Sequence, residues 1–238
     1  MKTIAALSIA IALHAQAPPT FEVASIKPHP EPINVSRSNT SGTYATWTAE
    51  TLIDLVVEAY DLKYYQVSGG PKWAATDHFD INARAADGPP LTDQTLRPLV
   101  QSLLAGRFQL KIHRQTKEIP VYELVIAKSG AKLRDPDINS REGYTMAGPT
   151  GIHIVQSHGT MQRLAEQLSN TAGRPVLDKT GLAGMFAYKL DFNPNNTSDS
   201  DIPSMSTALQ DQLGLRLEPQ KAPIEILVID SAEKPSGN

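Results

Sequence analysis

The tetrad Asp178-Lys179-Thr180-Gly181 is the sharpest chemical signal in the chain. An aspartate followed by Lys-Thr-Gly can accept a phosphoryl group on its carboxylate. Here Leu182 stands where the phosphorylated motif carries threonine, and neither a phosphate-binding glycine loop nor a nucleotide domain accompanies it. Asp178, Lys179 and Thr180 are therefore read as a turn between two strands, and as candidate binding residues rather than catalytic ones. Lys179-Thr180-Gly181 also matches a lysine box of serine acyl-transfer enzymes, whose nucleophile lies in a Ser-x-x-Lys upstream. The match at Ser231–Lys234 lies downstream, in the terminal tail. No Gly-x-Ser-x-Gly elbow is present.

Gly69-Gly70-Pro71-Lys72-Trp73 is the second candidate. A glycine pair permits a tight reversal, and a tryptophan beside it can form a binding platform or cover one end of a core. Gly70, Pro71 and Trp73 are its candidate binding residues. The histidines beyond the leader are His29, His78, His113, His153 and His158, and none has the His-Glu-x-x-His spacing of a zinc helix. No metal or cofactor is expected. His153 and His158 read as solvated or hydrogen-bonding. Asp77 and Asp80 flank a strand, where carboxylates cap turns or hold backbone amides more readily than they do acid–base work.

These motifs sit within a pattern of elements that is expected to occur twice. Helices are expected over 51–60, from Leu52, Leu55, Val56, Ala59 and Tyr60, and over 95–105, from Leu96, Leu99, Val100, Leu103 and Leu104. Pro98 then requires an N-cap near Thr95. Met161, Leu164, Ala165 and Leu168 mark a third helix, and Met205, Ala208, Leu209 and Leu213 a fourth, capped by Gly214. Phe79, Ile81 and Ala83 share one strand face, as do Phe186, Tyr188 and Leu190. VYELVIAK and IEILVID read as covered strands, each reached through a hairpin ending in proline (HRQTKEIP and EPQKAP). FEVASIKP, over 21–28, reads as a strand without a counterpart. The loop at Asn193–Pro203 corresponds to that at Ala86–Thr92. The expected fold is α+β: two tandem β-α-β-β-α-β-β-like lobes, with helices packed on small mixed sheets. The expected boundaries are a signal peptide at 1–17, a first lobe at 18–135, a linker at 136–150 and a second lobe at 151–238.

The leader combines Lys2, an apolar run from Thr3 to Leu13, and small residues at Ala15 and Ala17, with cleavage after either alanine. No later run is long enough for a membrane span. The 238 residues contain no cysteine, so neither disulfides nor a lipid anchor on cysteine is available. A net charge of −3 with scattered Lys and Arg gives no reason to expect nucleic acid.

Several segments occur in a fixed order: FEVASIKP, GGPKW, DHFDINARA, LLAGRFQLKIHRQTKEIPVYELVIAKSGAKL, GRPVLDKTGLAGMF, and TALQDQLGLRLEPQKAPIEILVIDSAEKPSGN. Together they resemble an acidobacterial (soil-bacterial) family of secreted proteins of unknown function, over about Phe21 to Asn238. The resemblance implies no enzymatic activity. Each half is also similar to the short N-terminal domains of secretins and TonB-dependent receptors, with ALQDQLGLRLE the best local match, which implies a periplasmic docking role. The expected protein is an exported, non-catalytic interaction or sensor module, periplasmic or secreted. Its expected partner is an envelope protein that docks on the strand edge around Ile224–Ile229. The alternatives are a binding protein for a glycan or peptide, and a hydrolase with an unrecognised site.

Overall fold

A computed structural model of the chain describes residues 18–33, 36–137, 139–140, 142–148, 151–194 and 202–236. The expected signal peptide and most of the Asn193–Pro203 loop lie outside these residues. The strands are β1 (Val23–Pro28), β2 (Arg37–Ser41), β3 (Tyr44–Thr51), β4 (Val67–Gly69), β5 (His78–Arg84), β6 (Lys111–Ile126), β7 (Gly143–Gly148), β8 (Gly151–Gly159), β9 (Val176–Asp178), β10 (Phe186–Phe192) and β11 (Leu215–Ser231). The helices are α1 (Leu52–Tyr60), α2 (Asp93–Arg107), α3 (Met161–Ala172) and α4 (Met205–Ala208), the last continuing as a π turn over Leu209–Leu213. The fold is α+β. From β2 to β6 and again from β7 to β11, the elements follow one order: strand, strand, helix, strand, strand, helix, strand.

The helices begin where their caps dictate. Thr51 Oγ1 accepts from Asp54 N–H while the Asp54 carboxylate accepts from Thr51 N–H at 2.8 Å, a reciprocal box that starts α1. Thr160 caps α3 by accepting from Arg163 N–H at 3.1 Å. Helix α2 starts at Asp93, earlier than expected, because Thr95 Oγ1 accepts from Thr92 N–H at 2.9 Å. Pro98 therefore lies in the second turn rather than the first, and costs α2 the bond to the Gln94 carbonyl.

Three sheets carry the strands, in the orders β1-β5-β3-β2, β10-β8-β7 and β4-β11-β6-β9. The chain divides into two compact units. One comprises residues 18–64, 69–112 and 229–236; the other comprises 65–68 and 113–228. This differs from the expected boundary at 135, since β6 beyond Ile112 belongs to the second unit and β11 beyond Val228 to the first. The reason is burial. Leu124 of β6 is part of the core that contains Ile154, Leu164, Leu190 and Leu209. Ile229 of β11 is buried and accepts from Gly70 N–H at 2.8 Å. Each apolar strand end lies beside a short strand, β6 beside β9 and β11 beside β4.

Three further expectations are corrected. HRQTKEIP and EPQKAP do not form hairpins; they are the exposed middles of the single strands β6 and β11. Neither stretch contains Gly, Asn or Asp to supply the positive φ of a tight turn. The two long strands instead pair with each other, with an ion pair between Arg114 and Glu225. Strand β11 is consequently interior, between β4 and β6, so the segment around Ile224–Ile229 offers no free edge. The expected linker contains β7, antiparallel to β8. Strand β1 pairs with β5, and among the described residues no strand takes the matching place beside β10.

Candidate functional site

A groove of about 530 Å3 lies in the second unit, within the range of small-ligand sites. One wall is α3, whose buried stripe of Met161, Leu164, Ala165 and Leu168 leaves Gln162 and Glu166 outward. The other wall is β9 with its turn, from Pro175 to Lys179; Tyr65, Gln66 and Ile224 complete the lining. Ser169 joins the walls, donating to Ala165 O and accepting from Val176 N–H, both at 2.8 Å.

Strand β9 is terminal in its sheet and runs parallel to β6. Tyr122 N–H donates to Pro175 O at 2.8 Å and Lys179 N–H to Leu124 O at 2.9 Å. In a parallel ladder this turns Pro175, Leu177 and Lys179 toward β6, and the peptide groups of Val176 and Asp178 away from it. The outer edge thus faces the Ser169 side.

Sequence reasoning singled out this turn, and the structure shows how it is held. The Asp178 carboxylate accepts from Thr180 N–H at 2.9 Å and from Thr180 Oγ1 at 2.8 Å, and Thr180 Oγ1 accepts from Leu182 N–H at 3.2 Å. Asp178 is a turn-forming acceptor. Gly181 takes φ +71°. Asp178 and Lys179 line the groove, whereas Thr180 is buried beneath the turn. Lys179 Nζ and the Glu166 carboxylate form no ion pair with each other. Gln162 Nε2 donates to Glu166 Oε1 at 3.2 Å. Burial pushes the Tyr65 hydroxyl pKa up; its contact with Ser169 offsets part of that, and Glu166 adds to it. Tyr65 is therefore a neutral hydrogen-bonding group there.

Gly70, Pro71 and Trp73 lie in the first unit and not in the groove. Gly70 has φ +82°, and a Cβ there would meet Ile229 Cγ2 at 3.1 Å. Pro71 precedes a 3₁₀ turn at Lys72–Ala75. Trp73 stacks on Phe108 with centroids 6.5 Å apart and meets Phe79 edge-on at 6.2 Å. Lys234 Nζ lies 5.9 Å from its centroid. Trp73 thus covers part of an aromatic core cluster.

Asp80 Oδ1 accepts from Ala49 N–H at 3.0 Å, at a bulge where Ala49 takes φ +54°, and lies 2.8 Å from His29 Nδ1. Asp77 pairs with Lys234, which lowers its pKa. His153 Nδ1 is 2.7 Å from Asp191 Oδ1. Burial pushes Asp191 up, but hydrogen bonds from His153 and Lys189 outweigh it and hold the carboxyl below its ordinary range. Among the described residues, no three His, Asp or Glu side chains come together as a metal-ligand set. A second Ser-x-x-Lys, Ser129–Lys132, stands upstream of Lys179. There Ser129 is exposed, and Lys132 Nζ donates to Asp211 O at 2.8 Å.

Sequence reasoning missed Tyr65, Gln66, Gln162, Glu166 and Ser169 as groove residues. Counting from the caps Thr51 and Thr160 would have exposed the signal. Ile53, Val57 and Tyr60 of α1 occupy the positions where α3 carries Gln162, Glu166 and Ser169.

A family model described as "Protein of unknown function (DUF3738)" matches residues 53–232. The chain belongs to this family. Every groove residue falls inside the span matched by the DUF3738 model, as do Gly70, Pro71, Trp73 and Thr180. No curated protein and no solved structure matches the chain. Among the described residues, no helix is long and apolar enough to cross a membrane.

Proposed function

We propose that this DUF3738 protein is an exported, non-catalytic interaction module of the cell envelope, built from two copies of one α+β unit. It would hold an extended segment of a partner protein in the groove between α3 and β9. One observation carries this reading: β9 ends its sheet with its outer edge turned toward the groove, where Ser169 takes Val176 N–H and the Asp178 peptide group beyond it is left for a partner chain to add to as a further strand. Glu166 on one wall and Lys179 on the other offer opposite charges to residues of that segment. The Lys2–Ala17 leader supports export, and the docking domains of secretins and TonB-dependent receptors supply the analogy.

A photocrosslinking residue at Gln162, with one at Asn39 in the other unit as control, tests the reading in envelopes of the native host. A discrete adduct from position 162 alone, abolished by E166K/K179E without change in melting temperature, is the expected result. Equal labelling from both positions, or an adduct indifferent to the charge reversal, would overturn it.

The groove volume and its ring of Tyr65, Gln66, Gln162 and Glu166 favour a second reading, capture of a free glycan or peptide. That reading predicts thermal stabilisation by the ligand alone.

A further inference from the structure

Strand β7 reads Gly-Tyr-Thr-Met-Ala-Gly, without charge and without proline, and all six residues are exposed. Among the described residues its one strand partner is β8, through Tyr144 opposite Val155 and Met146 opposite His153. Thr145 faces α3 and accepts from Gln167 Nε2 at 2.8 Å. By strand alternation Tyr144 and Met146 face the other way, and they are 45% and 55% exposed.

The edges of β10, β1 and β2 differ from that of β7. The outer edge of β10 is covered by Arg134, which exchanges two backbone bonds with Ala187. It is further covered by Gln212, which bonds Asp191 N–H and C=O at 2.9 Å each, and by Pro203, which accepts from Asn193 N–H. Strand β1 ends in Lys27-Pro28. Strand β2 is the element of the first unit that matches β7, and its register on β3 places Asn39 and Ser41 where β7 has Tyr144 and Met146. One open edge is therefore polar and begins with Arg37; the other is apolar and uncharged.

We infer that β7 pairs antiparallel with β7 of a second copy of this chain, in the register that sets Thr145 against its own counterpart. Only registers centred on a residue keep the Tyr144–Met146 faces of both copies on the same side of the joined sheet. The central one places each Tyr144 directly opposite Met146 of the second copy, an aromatic–thioether pair made twice by symmetry. It also sets Glu142 opposite Gly148, so no like charges oppose each other. A strand without charge meets no repulsion from its own copy, which is why a second copy fits here.

The chain has no cysteine, so T145C introduces a single thiol. T40C places one at the matching position of β2. The expected results are a solution mass twice that of one chain, disulfide-linked dimer on mild oxidation of T145C but not of T40C, and a single-chain mass for Y144N/M146S. A single-chain mass for the native protein at high micromolar concentration would overturn the inference. So would a double mass that survives Y144N/M146S, or equal crosslinking of T145C and T40C. A monomer that still gives the groove adduct at Gln162 would sink this inference while leaving the proposed function standing.

Discussion

Trp47 and Glu58 in the first unit sit where Gln156 and Gln167 sit in the second, counted from the caps Thr51 and Thr160. In the first unit the indole Nε1 donates to Glu58 Oε2 at 2.7 Å, so donor and acceptor satisfy each other. In the second, Gln167 Nε2 reaches Thr145, while Gln156 Nε2, Gln167 Oε1 and the Tyr188 hydroxyl are buried without a partner. A tryptophan is long enough to span from strand to helix, and a glutamine in its place leaves polar atoms stranded. The helices differ in the same sense. The face of α1 carrying Ile53, Val57 and Tyr60 is half-buried, whereas the matching face of α3 carries Gln162, Glu166 and Ser169 and forms a groove wall. One half spends its residues on packing, and the other turns polar along the groove.

The harshest way to break this comparison is at the ends of the second helices. Gln109 and Gly214 both follow such a helix with positive φ, at +48° and +64°. A Cβ on Gly214 would stand 2.0 Å from the Gly130 carbonyl oxygen, because the loop at 127–132 clamps that corner through Ala127 N–H to Gly214 O and Lys132 N–H to Leu213 O. Gly214→Ala should cost about 3 kcal/mol or more, from left-handed strain and a backbone clash. Gln109→Gly should change stability by no more than about 1 kcal/mol. Denaturant unfolding of both variants checks the contrast, and similar midpoints would show the corners to be equally constrained.

A smaller effect sharpens it at the strand–helix pair. Trp47→Phe removes the indole donor and strands the half-buried Glu58 carboxylate, at a cost of about 1–3 kcal/mol. Gln156→Met removes an amide nitrogen that has no partner, and should be neutral or stabilising. If Gln156→Met cost as much as Trp47→Phe, that amide would be bonded in solution and the asymmetry between the units would vanish.

The legible part of the molecule is what local chemistry controls. Leucine spacing and the Thr51 box locate α1, and Gly214 marks the end of the last helix. Asp178 with Thr180 reads correctly as a turn. The strands left unread, β2, β3 and β7, carry little apolar signal, since β3 alternates through Ala45, Trp47 and Ala49 and β7 exposes every residue. The false hairpins came from polar segments that are extended because they pair with each other across more than a hundred residues of sequence. The groove is illegible for a related reason: Tyr65 and Gln66 are brought to α3 and β9 only by tertiary folding, although α3's polar face is visible in its spacing.

The smallest predicted effect is a pH dependence, and it tests whether the Trp47–Glu58 arrangement carries a cost of its own. Burial is the largest influence on Glu58 and raises its pKa; the bond from Trp47 and the charge of Arg97 lower it in part, and Asp93 adds to the rise. A carboxyl whose folded pKa is raised binds its proton more tightly when native. Its contribution to stability is therefore lost as pH rises from the unfolded value of about 4.3 through the folded one, and nothing changes below both. Glu50 is shifted the same way by burial. Glu58→Gln keeps an oxygen for the Trp47 donor and removes the charge, giving the first unit the amide that the second already has at Gln167. It should flatten this part of the profile and make the variant more stable than the native chain at pH 7, by less than about 1 kcal/mol because the group is partly screened by solvent. The gain should disappear by pH 4. Urea midpoints across that range measure it. A variant less stable at pH 7 would mean that the charge-assisted bond to Trp47 outweighs the burial of the carboxylate, and that the first unit's arrangement is the stronger of the two on electrostatic grounds as well as on packing.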